Sequence, residues 1–338
     1  MTNEIDFAWP FAPRGHGFAE DVLDGLSRSE KRLSCLYLYD AVGSDLFDEI
    51  TRLPDYYPTR AETDILSAHG EEMLGEEMLD GAGEDVALVE FGSGSSRKTE
   101  ILLERAPRLA LYAPIDVCGS ALEKARVRLS ARFPHLRVTP IVADFSQPVA
   151  LPEDLAGRRR IGFFPGSTIG NFAPDEARGL LLAMRILLGP GGRLIVGVDL
   201  KKEPSRFIAA YNDAHGVTAA FNLNLLARIN RELGGGFDLS GFGHQAIYDE
   251  REGRVEMRLV SRRRQTATIG GRDFAFSRGE AIHTEDCYKY AVDEFRAAAS
   301  GAGWAPGRVW TDAEALFSVH ELRAPAAGPG AIGSAASF

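Results

Sequence analysis

The sequence predicts an α/β protein with a doubly wound, mostly parallel sheet. Between residues 86 and 200, short apolar runs recur, and most are followed by a segment whose apolar residues lie three and four positions apart. Such runs are typical of strands buried on both faces, and such segments are typical of the helices that connect them. Because these sheets bind ligands beyond the carboxyl ends of their strands, we expect a site at that edge.

The predicted elements follow one another along this region. The strand candidates are VALVEFG (86–92), LYAPIDV (111–117), LRVTPIVADF (136–145), RIGFFPGSTIGNF (160–172) and RLIVGVDL (193–200). The helix candidates between them are SSRKTEILLERA (95–106), GSALEKARVRLSARF (119–133) and DEARGLLLAMRILL (175–188). This alternation favours a right-handed parallel sheet with helices on both faces.

The flanking segments predict a second, smaller α+β unit. Before the sheet region, FAEDVLDGLSRSEKRLSCLYLYD (18–40) and GSDLFDEITRLP (43–54) have helical spacing, which continues to about residue 80. After it come two helical segments within residues 206–233, a GGGF turn, and the strand-like stretches RVEMRLVSRRRQTATI (254–269) and DFAFSRGEAIHTED (273–286).

The end of the chain returns to the first unit. CYKYAVDEFRAAASGAG (287–303) predicts a helix and GRVWTDAEALFSVHEL (307–322) a final strand pair, whereas the small residues of 323–338 predict a disordered tail. Residues 1–20 predict an irregular arm. We expect a first domain of residues 61–200 plus 286–322 and a second of residues 15–60 plus 201–285.

Composition excludes several classes of function. The 338 residues include 38 Lys and Arg against 48 Asp and Glu, a formal charge of −10 that argues against a nucleic-acid partner. No apolar run reaches the roughly 18 residues of a membrane span. Cys35, Cys118 and Cys287 lie far apart, and the seven histidines show no metal-ligand spacing. We therefore expect a cytoplasmic protein without a metal, a membrane or a nucleic-acid partner. The oligomeric state that we expect is a monomer.

A glycine-rich loop follows the first strand, in Glu90-Phe91-Gly92-Ser93-Gly94-Ser95-Ser96. Glycines there let the backbone approach a ligand, and the helix that follows offers unpaired N–H groups. The dinucleotide fingerprint GxGxxG requires glycine at position 97, where this chain has Arg97, so a nicotinamide cofactor is disfavoured. A tight turn that binds no ligand is the alternative interpretation of this segment.

Two acidic residues end the next strands. Asp116 lies 22 residues after Gly94, where a carboxylate can accept hydrogen bonds from ribose hydroxyls. Asp144 ends the third strand, where it can accept from an adenine amino group beside the ring of Phe145. Taken singly, each acid is more often a helix cap or a solvated loop residue. Three successive strand ends together favour an adenosine ligand without a pyrophosphate, and S-adenosylmethionine is the commonest such cofactor in this architecture.

Six segments resemble one known family. They are YDAVGSDLFDEITRLPDYYPTR (39–60), LVEFGSGSSRKT (88–99), FFPGSTIGNF (163–172), AAYNDAHGVTAAFNLNLL (209–226), VEMRLVSRRRQ (255–265) and IHTEDCYKY (282–290). In this order they resemble the histidine-specific Nα-methyltransferases of ergothioneine biosynthesis, over about residues 30–322. The resemblance implies a Rossmann-like class I methyltransferase domain and a smaller substrate-binding domain.

The resemblance also implies an activity and its residues. The family transfers three methyl groups from S-adenosylmethionine to the α-amine of L-histidine, giving hercynine and S-adenosyl-L-homocysteine. By similarity, the cofactor residues are Glu90, Gly92, Ser93, Gly94, Ser95, Lys98, Asp116, Val117, Asp144 and Phe145. Tyr39 and the Gly166 backbone face the amine, as the catalytic positions.

The substrate residues follow from the same resemblance. Asn171 and Tyr211 hold the substrate carboxylate, and Tyr56 lines the pocket. Glu285 and the residue at position 287 contact the imidazole, against which Met257 packs.

Position 287 departs from the family pattern, because it is usually serine and is Cys287 here. A thiol is a weaker hydrogen-bond donor than a hydroxyl. One alternative is therefore an Nα-methyltransferase for another aromatic amino acid, such as tryptophan, although Met257 and Glu285 favour histidine. The other alternative is a catalytically silent cofactor-binding protein. Without the resemblance, the tyrosines and Met257 are packing residues and Glu285 is a solvated acid.

Overall fold

The computed structural model describes residues 17–74 and 85–326, and its central feature is a mixed, mostly parallel sheet. Its strands are β1 (Val86–Phe91), β2 (Leu111–Asp116), β3 (Arg137–Val138), β4 (Ile141–Val142), β5 (Arg159–Phe164), β6 (Arg193–Asp199), β12 (Ala305–Thr311) and β13 (Phe317–Arg323). Their spatial order is β12, β13, β6, β5, β1, β2, β3, with β4 also beside β2. β1, β2, β5 and β6 pair in parallel, and β13 is antiparallel to β6. The predicted fold class is confirmed.

Helices cover both faces of this sheet. As a result, every residue of the central strands β1 and β6 is buried. The helices are α3 (Tyr57–Leu74), α4 (Arg97–Arg105), α5 (Gly119–Arg132), α6 (Pro174–Leu188) and α9 (Val292–Gly301). α6 and α9 contribute to the core on one face, and α3, α4 and α5 to the core on the other. The carboxyl ends of β1, β2, β5 and β6 consequently share one open edge.

A second unit packs beside that edge. Its elements are α1 (Phe18–Ser27), α2 (Ala41–Ile50), α7 (Pro204–Tyr211), α8 (Val217–Leu233), β7 (Phe242–Asp249), β8 (Arg254–Ser261), β9 (Gln265–Ile269), β10 (Arg272–Phe276) and β11 (Ala281–Tyr288). β11, β8 and β7 form one antiparallel sheet, and β9 and β10 form a hairpin. Its core is drawn mainly from residues 22–57 and 207–287.

The boundary between the two units lies inside one strand. Cys287 packs in the core of the second unit, whereas Tyr288 packs in the core beside the central sheet. β11 therefore runs from one unit into the other, and the proposed division after residue 285 cuts this strand.

Several predicted elements differ from the structure near the second unit. The predicted helix over 18–40 ends at Ser27, because the following chain is extended and pairs with β11: Leu33 N–H donates to the His283 carbonyl at 2.8 Å. Only Cys35–Leu38 becomes helical again, as a single 3₁₀ turn. The segment 242–249, for which we predicted no element, is β7. Each of the strand-like stretches 254–269 and 273–286 divides into two strands.

Other differences lie at the ends of elements. The predicted helix over 287–303 begins only at Val292, because Cys287 and Tyr288 still belong to β11. The third strand candidate is reduced to β3 and β4, separated at Pro140, which has no N–H to donate. Arg323, predicted in the tail, lies in β13. The remaining predictions for residues 1–16, 75–80 and 327–338 fall outside the described residues.

Candidate active site

A cleft of about 1270 Å³ lies along the open edge of the sheet, between it and the second unit. It is lined by all ten residues predicted to hold the cofactor: Glu90, Gly92, Ser93, Gly94, Ser95, Lys98, Asp116, Val117, Asp144 and Phe145. The segments that follow the carboxyl ends of the parallel strands therefore lie together along the cleft, as expected for this type of sheet.

The loop after β1 is shaped by its glycines. Gly92 and Gly94 have φ of +68° and +49°, a region that side chains with a Cβ rarely adopt. A Cβ at Gly92 would also lie 3.2 Å from the ring of Phe145. The backbone is therefore exposed to the cleft, and the Phe145 ring lies directly against it.

Asp116 organises this loop as well as lining the cleft. Its Oδ2 accepts from the Gly94 N–H at 2.8 Å and its Oδ1 from the Cys118 N–H at 2.9 Å. Burial raises the pKa of Asp116, while these amides oppose the change. The Val117 amide is a third backbone donor to Asp116, and a carboxylate has about four acceptor sites, so Asp116 can still accept a hydrogen bond from a ligand hydroxyl.

Glu90 is almost completely buried at the end of β1. Its Oε2 accepts from Thr99 Oγ1 at 2.6 Å and from the Tyr112 hydroxyl. Burial raises the pKa of Glu90 to about 8, and the two hydrogen bonds oppose this rise. Glu90 therefore joins β1, β2 and α4 beneath the glycine loop, a structural role that adds to its place on the cleft wall.

Sequence reasoning missed Glu62, a fully buried residue of α3. Its carboxylate accepts from Lys98 Nζ at 2.5 Å and from the Gly166 N–H, 3.0 and 2.9 Å from its two oxygens. A Cβ at Gly197 would lie 2.1 Å from Glu62, so only glycine leaves room for it. The available signal was an acid on the apolar face of a helix, beside Ala61 and three positions before Ile65.

The cleft fits S-adenosylmethionine. The glycine loop admits an approaching ligand, and the buried Ser93 Oγ has no hydrogen-bond partner in the structure. Asp116 and Asp144 supply acceptors at neighbouring strand ends, and Lys98 supplies a cation for a carboxylate. These donors and acceptors match the ribose, adenine and amino-acid parts of that cofactor.

A smaller inner cavity of about 50 Å³ lies beside the cleft. Its wall includes every residue predicted to contact the substrate or its amine: Tyr39, Tyr56, Gly166, Asn171, Tyr211, Met257, Glu285 and Cys287. Tyr39, Gly166, Asn171 and Glu285 line both spaces. The two spaces therefore meet at these residues.

Glu285 is the buried acid of the inner cavity. It accepts from Asn171 Nδ2 at 3.2 Å and from the Tyr39 hydroxyl. Burial raises the pKa of Glu285 to about 8, although Lys289 and the Tyr39 hydrogen bond oppose the rise. A carboxyl group so placed favours a ligand that offers it an N–H.

A β-bulge in β11 precedes Glu285 and orients its side chain toward the cavity. His283 is opposite Arg258 and Glu285 is opposite Met257, so Thr284 is an extra residue with no partner in the register. The Thr284 hydroxyl donates to the Met257 carbonyl at 2.9 Å. Such bulges redirect side chains beside active sites.

Tyr211 and Cys287 line the inner cavity but not the cofactor cleft. The Tyr211 oxygen lies 2.9 Å from Cys287 Sγ, and Lys289 Nζ lies 2.9 Å from the Tyr211 oxygen and 3.1 Å from Cys287 Sγ. Burial raises the pKa of the Cys287 thiol, which Lys289 opposes. Lys289 was also missed, although its spacing of two and four residues from Cys287 and Glu285 places all three on one face of a strand.

Aromatic rings form much of the remaining wall. The Tyr39 ring centroid lies 5.5 Å from that of Phe221, and the Tyr56 centroid lies 6.1 Å from that of Tyr211. Phe47 packs against Tyr39, Tyr56 and Phe221. Phe47 and Phe221 were not predicted, because aromatic residues at helical spacing are ordinarily core residues.

The absence of a metal site stays a prediction. Within the described residues, Glu256, His283 and Asp286 place possible ligand atoms within 4.8 Å of one another. Arg254 and Arg258 already donate to the Glu256 carboxylate, and His283 Nε2 lies 2.9 Å from Asp286 Oδ1. We therefore interpret this group as a network of ion pairs.

Among the helices of residues 17–74 and 85–326, none combines the length and the apolar composition that a membrane span requires.

A doubly wound sheet with this glycine loop, these strand-end acids and a second cavity facing the cleft defines a class I S-adenosylmethionine-dependent methyltransferase. The model of the family described as "Histidine-specific methyltransferase, SAM-dependent" matches residues 18–324. The chain belongs to this family.

Individual relatives agree with the family match. The chain is 40% identical over 305 residues to the histidine N-alpha-methyltransferase of Mycolicibacterium smegmatis, covering 88% of this chain and 92% of the relative. It is 39% identical over 311 residues to that of Mycobacterium tuberculosis, covering 90% and 94%. It is also 30% identical over 290 residues to ergothioneine biosynthesis protein 1 of Neurospora crassa, covering 83% of this chain and 32% of that protein.

Proposed function

We propose that this protein transfers three methyl groups in succession from S-adenosylmethionine to the α-amine of L-histidine, giving hercynine for ergothioneine biosynthesis. The observation that carries this proposal is the buried Glu285 in a cavity that opens onto the cofactor cleft at Tyr39, Gly166 and Asn171. A substrate held at both ends of this cavity presents its amine where the two spaces meet.

The cofactor, when bound, supplies an electrophilic methyl group on its sulfonium. The protein's task is to present a neutral amine in line with it, which is mainly a matter of positioning. Burial keeps the pKa of Tyr39 well above its ordinary value, so this residue acts as a phenol. Because its proton is donated to Glu285, its oxygen can accept an N–H of the amine and orient the nitrogen lone pair.

The two ends of histidine are matched by different groups. Asn171 and Tyr211 offer donors to the carboxylate, and Glu285 accepts from the imidazole N–H. A substrate without that N–H leaves Glu285 with only its hydrogen bonds from Asn171 and Tyr39, and the loss of one hydrogen bond to a buried acid costs roughly 1–3 kcal/mol. The indole of tryptophan also has an N–H, so histidine is favoured over tryptophan because the larger indole ring would have to fit against Met257.

The aromatic wall suits the product. As methyl groups replace N–H groups, hydrogen bonds to the amine are lost and a permanent cation forms. Tyr39 and Tyr56 line this part of the cavity, and aromatic faces attract quaternary ammonium groups. The wall therefore compensates for the lost hydrogen bonds across the three transfers.

The test is incubation of the purified protein with isotopically labelled S-adenosylmethionine and each of the twenty amino acids, with products identified by mass spectrometry. We expect mono-, di- and trimethylated products from histidine alone. Faster methylation of tryptophan or another amino acid would overturn the substrate assignment. Cofactor binding without any methylation would favour the catalytically silent alternative.

We further propose that the protein is a cytoplasmic monomer. None of its three cysteines, all within the described residues, forms a disulfide, which supports a reducing compartment. Light scattering during size-exclusion chromatography measures the oligomeric state directly, and a dimer mass would contradict the proposal.

A further inference from the structure

Three charged side chains form a buried cluster behind the inner cavity. Asp199 ends β6, Lys202 follows it by three residues, and Lys289 follows β11. The side chains of Asp199 and Lys289 are 0% exposed and that of Lys202 is 8% exposed. We name these three residues the charge cluster.

One carboxylate serves both ammonium groups of the charge cluster. Lys289 Nζ donates to Asp199 Oδ2 at 2.7 Å, and Lys202 Nζ donates to Asp199 Oδ1. The Tyr57 hydroxyl donates to Asp199 at 2.8 Å and accepts from Lys202 at 2.8 Å. With both lysines protonated, the cluster has a surplus of one positive charge.

Lys289 links the charge cluster to the inner cavity, because its Nζ contacts Tyr211 and Cys287, two residues of the cavity wall. Burial opposes the ammonium form of Lys289, but the Asp199 carboxylate outweighs burial and holds the pKa of Lys289 well above its ordinary value. Burial lowers the pKa of Lys202 to about 8, against the opposing effect of Asp199. A buried surplus charge is costly unless an anion compensates it.

Lys289 also restricts the direction in which the Tyr211 hydroxyl can donate a hydrogen bond. Its ammonium, which can only donate, lies 2.9 Å from the Tyr211 oxygen and occupies one of that oxygen's lone pairs. The Tyr211 hydrogen must therefore point away from Lys289, toward Cys287 or into the cavity. A donor fixed in this way, in front of a surplus positive charge, matches an anionic ligand.

We propose that Lys289 is a positioning residue for the α-carboxylate of the amino-acid substrate, acting through the Tyr211 hydroxyl. Asp199 holds Lys289 in place, and Lys202, on the other oxygen of the same carboxylate, maintains the surplus charge. Glu285 also lines the inner cavity, and its carboxyl group accepts hydrogen bonds from Asn171 and Tyr39. The substrate's orientation then follows from electrostatics, with its carboxylate toward Lys289 and its side chain toward Glu285. This inference rests on the proposed function.

The experiment compares L-histidine with L-histidinamide, which lacks the anionic carboxylate. Binding of each is measured by calorimetry in the presence of S-adenosylhomocysteine, for the wild type and for Lys289→Met. We expect the wild type to prefer histidine. The variant should lose about tenfold or more in histidine affinity, the range for a hydrogen bond to a charged group, and less than about threefold in amide affinity.

Lys202→Met is the matched variant, because it removes the surplus charge but leaves Lys289 on Tyr211. We expect it to lose histidine affinity selectively, by less than Lys289→Met does. If Lys289→Met does not fold, Lys202→Met carries the test. Unchanged affinity for S-adenosylhomocysteine checks the fold of each variant.

Equal weakening of both ligands, or an intact preference for histidine, would overturn the inference and leave the proposed function standing. If the wild type binds a different amino acid, the proposed substrate fails, and that amino acid and its amide replace histidine in the same comparison. A wild type that binds no amino acid overturns both.

Discussion

The cofactor cleft and the inner cavity are built in different ways. In the cleft, the two strand-end carboxylates accept from backbone amides: Asp116 from Gly94 and Cys118, and Asp144 from Ser146. In the cavity, side chains hold one another across long stretches of sequence, as Glu285 and Asn171 do. A substitution in the cleft therefore acts mainly through local backbone geometry, whereas one in the cavity disturbs a network of buried polar groups.

Among substitutions that affect one region and not the other, Glu285→Ala is expected to have the largest effect. Removing the acceptor for the imidazole N–H should lower kcat/KM for histidine by roughly a hundredfold, with S-adenosylhomocysteine affinity nearly unchanged. Steady-state kinetics and calorimetry measure the two quantities. Glu250→Gln, on an exposed turn, is the control and should match the wild type. Equal losses for histidine and cofactor would refute the separation.

The second prediction concerns stability and its pH dependence. Burial raises the pKa of Glu285 to about 8 in the folded chain, from an ordinary value of 4.5. As pH rises from 4.5 to 8, the unfolded chain ionises while the folded chain resists, so stability falls in this window. Glu285→Gln does not titrate there and should gain roughly 1–3 kcal/mol in unfolding free energy relative to the wild type.

Urea denaturation at a series of pH values measures this gain. The difference between Glu285→Gln and the wild type should be small near pH 4.5 and level off above pH 8. Glu250→Gln again serves as the control and should show no such trend. A difference that stays constant with pH would show that the mutant's effect has another origin.

A smaller effect is expected from Gly92→Ala in the cleft. Its φ of +68° and the contact with Phe145 make a Cβ unfavourable by roughly 1–2 kcal/mol, so cofactor affinity should fall about tenfold. Gly157→Ala is the matched control: its φ is +74°, but a Cβ there meets no atom within 4 Å and it lies outside the cleft. It should reduce stability without reducing cofactor affinity, and a similar loss of affinity in both variants would contradict the argument.

The smallest effect is expected from Cys287→Ser. A hydroxyl donates a stronger hydrogen bond than a thiol, so histidine turnover should stay within about threefold of the wild type or improve. Cys118→Ser, at a buried cysteine of the other unit, is the control. Complete inactivation of Cys287→Ser alone would show that the thiol has a role that a hydroxyl cannot take.

The same contrast explains what could be predicted from the sequence. The glycine loop and Asp116 were located because strand ends and their turns follow from local residue patterns. The segments that resemble the family supplied the substrate residues, and the structure brings these together in one cavity. Whether each makes its predicted contact stays a prediction.

What the sequence did not reveal depends on contacts between distant segments. Asp199 and Lys289 are 90 residues apart and meet only because β6 and β11 end near each other. The extended chain around Leu33 has helical spacing, and its pairing with β11 outweighs that local preference. The sequence places Glu62 on the apolar face of its helix, but its partners, Lys98 and the Gly166 amide, come from distant segments.

The single extra residue at Thr284 has a consequence for how new specificities arise. Side chains of a strand alternate between its two faces, so this residue decides which set enters the cavity and which set leaves it. Deletion of Thr284 would shift this alternation by one residue, so Glu285 and its neighbours would change faces in a single event. A change in the length of this strand is therefore a shorter evolutionary route to a different amino acid than a series of point substitutions, and it leaves the glycine loop and the strand-end acids of the methyl-donor cleft in place.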